Sequence, residues 1–137
     1  DENMYLDAAT RTYIEETGGA NFLFVTKDGV LVSPKSDSIL PSITRRSLLY
    51  IAEHMLGMKT EHRPVKFSEL KDFAEAGLCG TAAVISPVGR VVNGDEVIDL
   101  PSGREKMGPV LQKLYDTITG IQAGHIEGPE GWIRKIC

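Results

Sequence analysis

Cysteine and histidine are scarce in this chain of 137 residues, and long apolar runs are missing. Cys79 and Cys137 lie far apart and belong to no C-x-x-C pair, so a disulfide framework is not expected and a reducing cytoplasm is the simpler setting. His54, His62 and His125 share no short ligand spacing, which argues against a metal site. No stretch approaches the ~20 apolar residues needed to span a bilayer, and no signal peptide opens the chain. Basic residues form no stripe, the richest stretch being Arg45-Arg46, and the net charge is −4. Neither nucleic acid nor a membrane is therefore an expected partner. Capture of one small anion stays open.

What is present suits one globular domain over residues 1–137, with 42% apolar and 25% charged residues. The opening, Asp1 to Asp7, reads like a strand entered mid-protein, with residues 4–8 short and apolar. A second extended run begins at Tyr13-Ile14. Asn21–Val25 and Val30–Val32 flank Asp28-Gly29, a strong hairpin signal because glycine tolerates the positive φ of such turns. Residues 33–43 are polar and read as a loop. From Thr44, Leu48, Leu49, Ile51, Ala52, Met55 and Leu56 form one helical face that Gly57 stops.

A β-like stretch follows from Lys59 to Val65, then a short helix around 68–76 that Ser68 could cap, then a buried strand from Thr81 to Ile85 closed by Pro87. Asn93-Gly94 suggests a second hairpin within 91–98. Gly108-Pro109 opens a last helix running to about Gln122. The mixed order of elements predicts an α+β fold.

Three segments could carry chemistry. Leu40-Pro41-Ser42-Ile43-Thr44-Arg45 feeds a loop into an amphipathic helix, leaving free N–H groups at Ile43 and Thr44 at the positive end of the helix dipole. That is either an anion site or simply a helix capped by Thr44. Cys79-Gly80-Thr81-Ala82-Ala83 offers small residues and successive amides, either for a carboxylate or phosphate or for tight strand packing. In Tyr13-Ile14-Glu15-Glu16, strand geometry sends the two carboxylates opposite ways, so at most one points inward. An inward carboxylate needs a cationic or hydrogen-bonding partner, and a protonated pyridine nitrogen would be one.

In this order the segments resemble the fold-type IV aminotransferases, and the branched-chain enzymes in particular. The landmarks are Tyr13-Ile14-Glu15-Glu16 with Gly18 and Asn21, Ile39 to Arg45, Gly80-Thr81-Ala82-Ala83 leading to Ser86-Pro87-Val88, and Gly108-Pro109-Val110. Leu114-Tyr115-Asp116, Thr119-Gly120-Ile121-Gln122, Gly124, Glu127 and Gly131-Trp132 complete the series. The resemblance implies the C-terminal large domain of that fold, a mixed sheet or pseudo-barrel with flanking helices. It implies pyridoxal 5'-phosphate as cofactor, with Glu16 on the pyridine nitrogen and Leu40 against the ring. Ile43 and Thr44 would hold the phosphate together with Thr81, and the Thr81 and Ala82 backbone would receive the substrate carboxylate. The implied reaction is transamination of leucine, isoleucine or valine with 2-oxoglutarate, in a cytoplasmic homodimer when intact.

Four departures qualify the pattern. Ser42 stands where glycine is usual, Ala20 where relatives carry Met or Glu, and Ala83-Val84-Ile85-Ser86 lacks the redox cysteine pair of some animal members. The Schiff-base lysine of the family lies upstream of residues 4–8, so the chain is expected to be a fragment with no catalytic residue of its own, inactive alone. Alternatives on the same scaffold are a D-amino acid aminotransferase and an aminodeoxychorismate lyase. Outside it stands a non-catalytic module that binds an anion or a partner.

Overall fold

A computed structural model describes residues 1–136. Gly29 adopts φ +82°, a backbone region costly for residues with a Cβ, and this folds β1 (Asn21–Thr26) back onto β2 (Leu31–Pro34) with Phe24 opposite Val32. On its other edge β1 pairs antiparallel with β4 (Phe73–Gly80), Asn21 lying opposite Cys79. β3 (Thr60–Arg63) lies parallel to β2, and β5 (Val84–Val88) lies antiparallel to β4. The order β3-β2-β1-β4-β5 makes one open mixed sheet, not a closed barrel. β6 (Arg90–Asn93) and β7 (Glu96–Asp99) form the second hairpin, turned by Gly94 at φ +60°.

Alternation along β1 and β2 sends their side chains into two cores. Leu23, Val25 and Leu31 face α1 (Ile43–Tyr50) and α2 (Pro109–Gln122), whose Leu48, Leu111, Leu114 and Ile121 complete that layer. Phe22, Phe24 and Val32 face the opposite way, against Ile14, Val65, Leu70, Phe73 and Leu100. Truncating a fully buried leucine such as Leu111 to alanine costs about 2–5 kcal/mol. The fold is therefore α+β, as expected. No helix among the described residues is long and apolar enough to cross a membrane.

Several boundaries differ from expectation. The helix opened at residue 43 passes into a π-helical turn at Ile51–Met55, and Met55 is 37% exposed, off the apolar face assigned to it. The stretch expected as a short helix at 68–76 is a 3-10 helix at Phe67–Asp72 followed directly by β4. The Glu69 carboxylate accepts from the Lys66 amide at its start (2.8 Å), so Ser68 is not its cap. The strand expected at 81–85 is instead a turn at residues 81–83 with β5 beyond it. Pro87 sits inside β5, which is possible because β5 is an edge strand.

The opening residues contribute isolated bridges, Leu6 with Ile14 among them, in place of a full strand. They are organised by Asp7, whose carboxylate accepts from the Thr10 hydroxyl and from the amides of Thr10, Thr12 and Tyr13. Those bonds, the Thr10 hydroxyl first, hold the Asp7 carboxyl far below the usual carboxylate range.

Candidate functional site

The start of β1 and the end of β4 lie side by side, because Asn21 pairs with Cys79. Three sequence segments converge there. A Cβ on Gly80 would come within 3.7 Å of the Gly19 carbonyl oxygen, which puts the β4–β5 turn beside Gly18-Gly19. The N-terminus of α1 reaches the same place through Arg45, whose Nη1 donates to Asn21 Oδ1 at 3.0 Å.

Glu16 stands at the centre of this convergence. Its Oε2 accepts from the Leu40 amide at 3.2 Å and from Asn21 Nδ2 at 3.3 Å. Its Oε1 has no protein donor among the described residues. Neighbouring Glu15 takes the Ser36 hydroxyl at 3.1 Å. Both carboxylates therefore touch the loop before α1, but only Glu16 joins Asn21 and Arg45.

The cap of α1 is Ser42, not Thr44: its hydroxyl accepts from the Arg45 amide at 3.1 Å, while its carbonyl accepts from the Arg46 amide. That leaves the Ile43 and Thr44 amides without a backbone acceptor among the described residues. Thr44 is half-buried, whereas Ile43 and Leu40 are 72% and 69% exposed. The start of α2 is built differently. There, buried Glu75 accepts from the Val110 and Leu111 amides at 2.9 Å each, so a carboxylate of the chain already neutralises that helix end. No such carboxylate covers α1 among the described residues.

Thr81, Ala82 and Ala83 are exposed, and their amides have no backbone acceptor among the described residues. A turn offers more free amides than the buried strand expected here, since strand amides are consumed by the ladder. Val84, which leaves this turn, holds φ +60°, a strained conformation for a β-branched residue. Thr81 and Ala82 make no hydrogen bond to the Glu16 network; register alone brings them near it.

Arg45 and Lys35 bring positive charge to neighbouring groups. Burial, opposed by the Arg45 cation, pushes the Cys79 thiol up to about 12. Burial first, then the Arg45 and Lys35 cations, pull His62 below its ordinary value against a hydrogen bond with the Pro34 carbonyl. Arg45 Nε and Ser33 Oγ are buried without partners among the described residues. A cavity of about 790 Å³ between the first residues and β6, lined by Met4, Phe22, Leu78 and Arg90, contains none of Glu16, Thr44 or Thr81.

The family resemblance marks Glu16, Leu40, Ile43, Thr44, Thr81 and Ala82, and it gives no role to Asn21 or Arg45. A signal for Arg45 does exist: positions 45, 48 and 52 share one helical face, and two of them are the buried Leu48 and Ala52. An arginine on a core-facing stripe needs a polar reason to be there.

Known proteins are similar to this chain in both sequence and shape. The chain is 53% identical over 133 residues to a branched-chain-amino-acid aminotransferase of Haemophilus influenzae, an alignment covering 97% of this chain and 38% of that one. It is 41% identical to the enzyme of the same name from Helicobacter pylori, over 99% of this chain and 39% of that one. The crystal structure of the Escherichia coli branched-chain amino acid aminotransferase superposes with a TM-score of 0.81 at 34% identity, covering 96% of this chain and 41% of that one. The T.th. branched-chain amino acid aminotransferase complexed with N-(5'-phosphopyridoxyl)-L-glutamate also superposes with a TM-score of 0.81, at 30% identity over 96% of this chain and 41% of its own. This chain thus spans about two-fifths of the length of these relatives. The model of the family called amino-transferase class IV matches residues 1–91, and the chain belongs to that family.

Proposed function

We propose that residues 1–137 form the cofactor-binding domain of a branched-chain amino acid aminotransferase dependent on pyridoxal 5'-phosphate, whose lysine for the cofactor lies on another part of the protein. The bound cofactor supplies an electron sink for the amino acid's α-carbon. The residues of this chain supply the grips.

One observation carries the reading: among the described residues Glu16 has one oxygen occupied twice and the other without a donor, next to a helix start that no carboxylate covers. A carboxylate pinned in this way presents a fixed acceptor to an outside N–H, and the pyridine ring has a nitrogen that can carry one. Retaining that proton keeps the ring electron-poor. The Ile43 and Thr44 amides with the Thr44 hydroxyl suit the cofactor phosphate, since two oriented N–H groups at a helix end favour an anion. The Thr81 hydroxyl adds a third element to that grip. The Thr81 and Ala82 amides suit the substrate carboxylate, and exposed Leu40 offers an apolar surface to the ring. Oriented dipoles supply most of the attraction, which fits a chain with net charge −4.

The substrates we infer are leucine, isoleucine and valine, with 2-oxoglutarate as amino acceptor, and the whole protein is read as a cytoplasmic homodimer. The names of the Haemophilus influenzae and Helicobacter pylori relatives support the branched-chain assignment, and the phosphopyridoxyl-glutamate complex of the T.th. protein supports cofactor and acceptor. They give no support to the D-amino acid aminotransferase or the lyase. Assay of the full-length protein with L-leucine and with D-alanine, 2-oxoglutarate as acceptor, tests the reading. Turnover of L-leucine is expected, and a strong preference for D-alanine would overturn it.

A further inference from the structure

Arg45 is a buried cation with an unusual set of partners. It is 8% exposed, its Nη1 donates to Asn21 Oδ1 at 3.0 Å, and its Nε is buried without an acceptor among the described residues. No carboxylate lies within ion-pair distance of it among the described residues. It also sits in the first turn of α1, where the helix dipole adds to its own charge. A buried charge kept in so poor a setting needs a reason beyond stability, since apolar replacements of similar volume are often neutral or better.

The chemistry of the contact supplies that reason. A guanidinium carries only donors, so the atom of Asn21 facing Arg45 has to be the carbonyl oxygen Oδ1. The amide nitrogen of Asn21 is thereby obliged to face the other way, and there it donates to Glu16 Oε2 at 3.3 Å. Without Arg45 the amide could turn over and set a carbonyl oxygen against the carboxylate. With it, Glu16 is held through Oε2 by Asn21 and by the Leu40 amide, and Oε1 is left in a fixed direction. Asn21 is itself anchored, through its pairing with Cys79 in the sheet and its bridge to Glu16. Arg45 belongs to the same helix whose first amides stand open.

We propose that Arg45 and Asn21 are positioning residues that orient Glu16, a relay linking the helix start to the carboxylate that meets the cofactor's ring. This rests on the reading that Glu16 faces the pyridine nitrogen. Neither residue touches the cofactor; both act through the Glu16 carboxylate.

The test uses the full-length protein and two readouts besides turnover. Nitrogen NMR of bound pyridoxal 5'-phosphate labelled at the ring nitrogen reports whether that atom is protonated, and thermal melting without cofactor reports the fold. Asn21→Asp keeps the shape and gives Arg45 an ion-pair partner, but it replaces the donor to Glu16 with an oxygen. Arg45→Met keeps an unbranched apolar stem while freeing the Asn21 amide, and Arg45→Lys restores a donor. Asn21→Asp and Arg45→Met are expected to move the ring signal toward neutral pyridine, as Glu16→Gln does, and to weaken cofactor binding about tenfold or more. Arg45→Lys should return part of the signal.

Melting of Arg45→Met without cofactor should stay within about 5 °C of the parent, because its ion is replaced by a well-sized apolar group. If Glu16→Gln moves the ring signal while Asn21→Asp and Arg45→Met leave it unchanged, the relay is wrong and the proposed function stands. If Glu16→Gln itself leaves it unchanged, the placement of Glu16 fails first. Should Asn21→Asp not fold, Arg45→Met and its lysine rescue decide alone.

Discussion

Glu75 and Leu111 are thirty-six residues apart in the chain and 2.9 Å apart in the fold, the buried carboxylate accepting from the Leu111 amide. A second bond from Val110 completes a cap on α2 that comes from β4, an interior strand of the sheet, not from the helix's own flank. A side chain on Gly108 would collide with the Glu75 carboxylate, so glycine at the cap is part of the same arrangement. Replacing Glu75 by glutamine keeps the volume but turns one acceptor into a donor facing an N–H. A loss of about 1–3 kcal/mol in chemical unfolding is expected. A change under ~0.5 kcal/mol, the size usual for inert surface sites, would contradict the cap.

Gly77 and Gly80 lie on one strand but should respond differently to alanine. At Gly77 a Cβ would lie 2.9 Å from Leu111 Cδ1, where α2 packs on the sheet, whereas at Gly80 the nearest atom is the Gly19 carbonyl oxygen at 3.7 Å. Gly77→Ala is expected to cost about 1–3 kcal/mol through overpacking. Gly80→Ala should leave stability within ~0.5 kcal/mol and instead lower affinity for pyridoxal 5'-phosphate, titrated by fluorescence. The reverse order of melting temperatures would refute this.

The two hydroxyls at the start of α1 have separable tasks. Ser42→Ala removes the cap bond to Arg45 and should cost about 1 kcal/mol of stability. Thr44→Val removes a hydroxyl that makes no bond within the described residues, so melting should barely move. On the proposed reading it weakens cofactor binding by about tenfold, the loss of one hydrogen bond to a charged oxygen. Equal effects of both changes on melting and on binding would show that the two positions are not distinct.

Cys79 makes the fold sensitive to alkali. The folded thiol holds its proton to about pH 12 against an ordinary value of 9.0, so above pH 9 the unfolded chain releases the proton first. Its stability contribution is complete below pH 9 and declines from there toward pH 12, by up to about 1.4 kcal/mol per pH unit. Denaturant melts of the parent and of Cys79→Ala across this range should show the steeper alkaline decline only in the parent. Labelling of native protein by a thiol reagent at neutral pH should also be slow at this site. Rapid labelling in the native state would show that the thiol is not shielded.

Local chemistry was enough for the two hairpin turns and for the start of α2. Asp28-Gly29 and Asn93-Gly94 signalled the two hairpins and Gly108-Pro109 the start of α2, while the family resemblance singled out Glu16, Thr44 and Thr81. Pairing and packing supplied the rest. Phe73 to Gly80 contains no β-branched residue and reads as helix in its first half, yet it is the interior strand β4, because β1 and β5 consume its backbone on both sides and α2 needs its small residues. Ser42 displaced Thr44 as cap, a choice made by where the incoming loop docks. The contacts Arg45 to Asn21 to Glu16 and Glu75 to Leu111 join positions far apart in the chain, and no local pattern specifies which donor meets which acceptor. A buried polar group takes whatever partner the packed sheet and helices bring within reach, and that is settled only when the chain closes on itself.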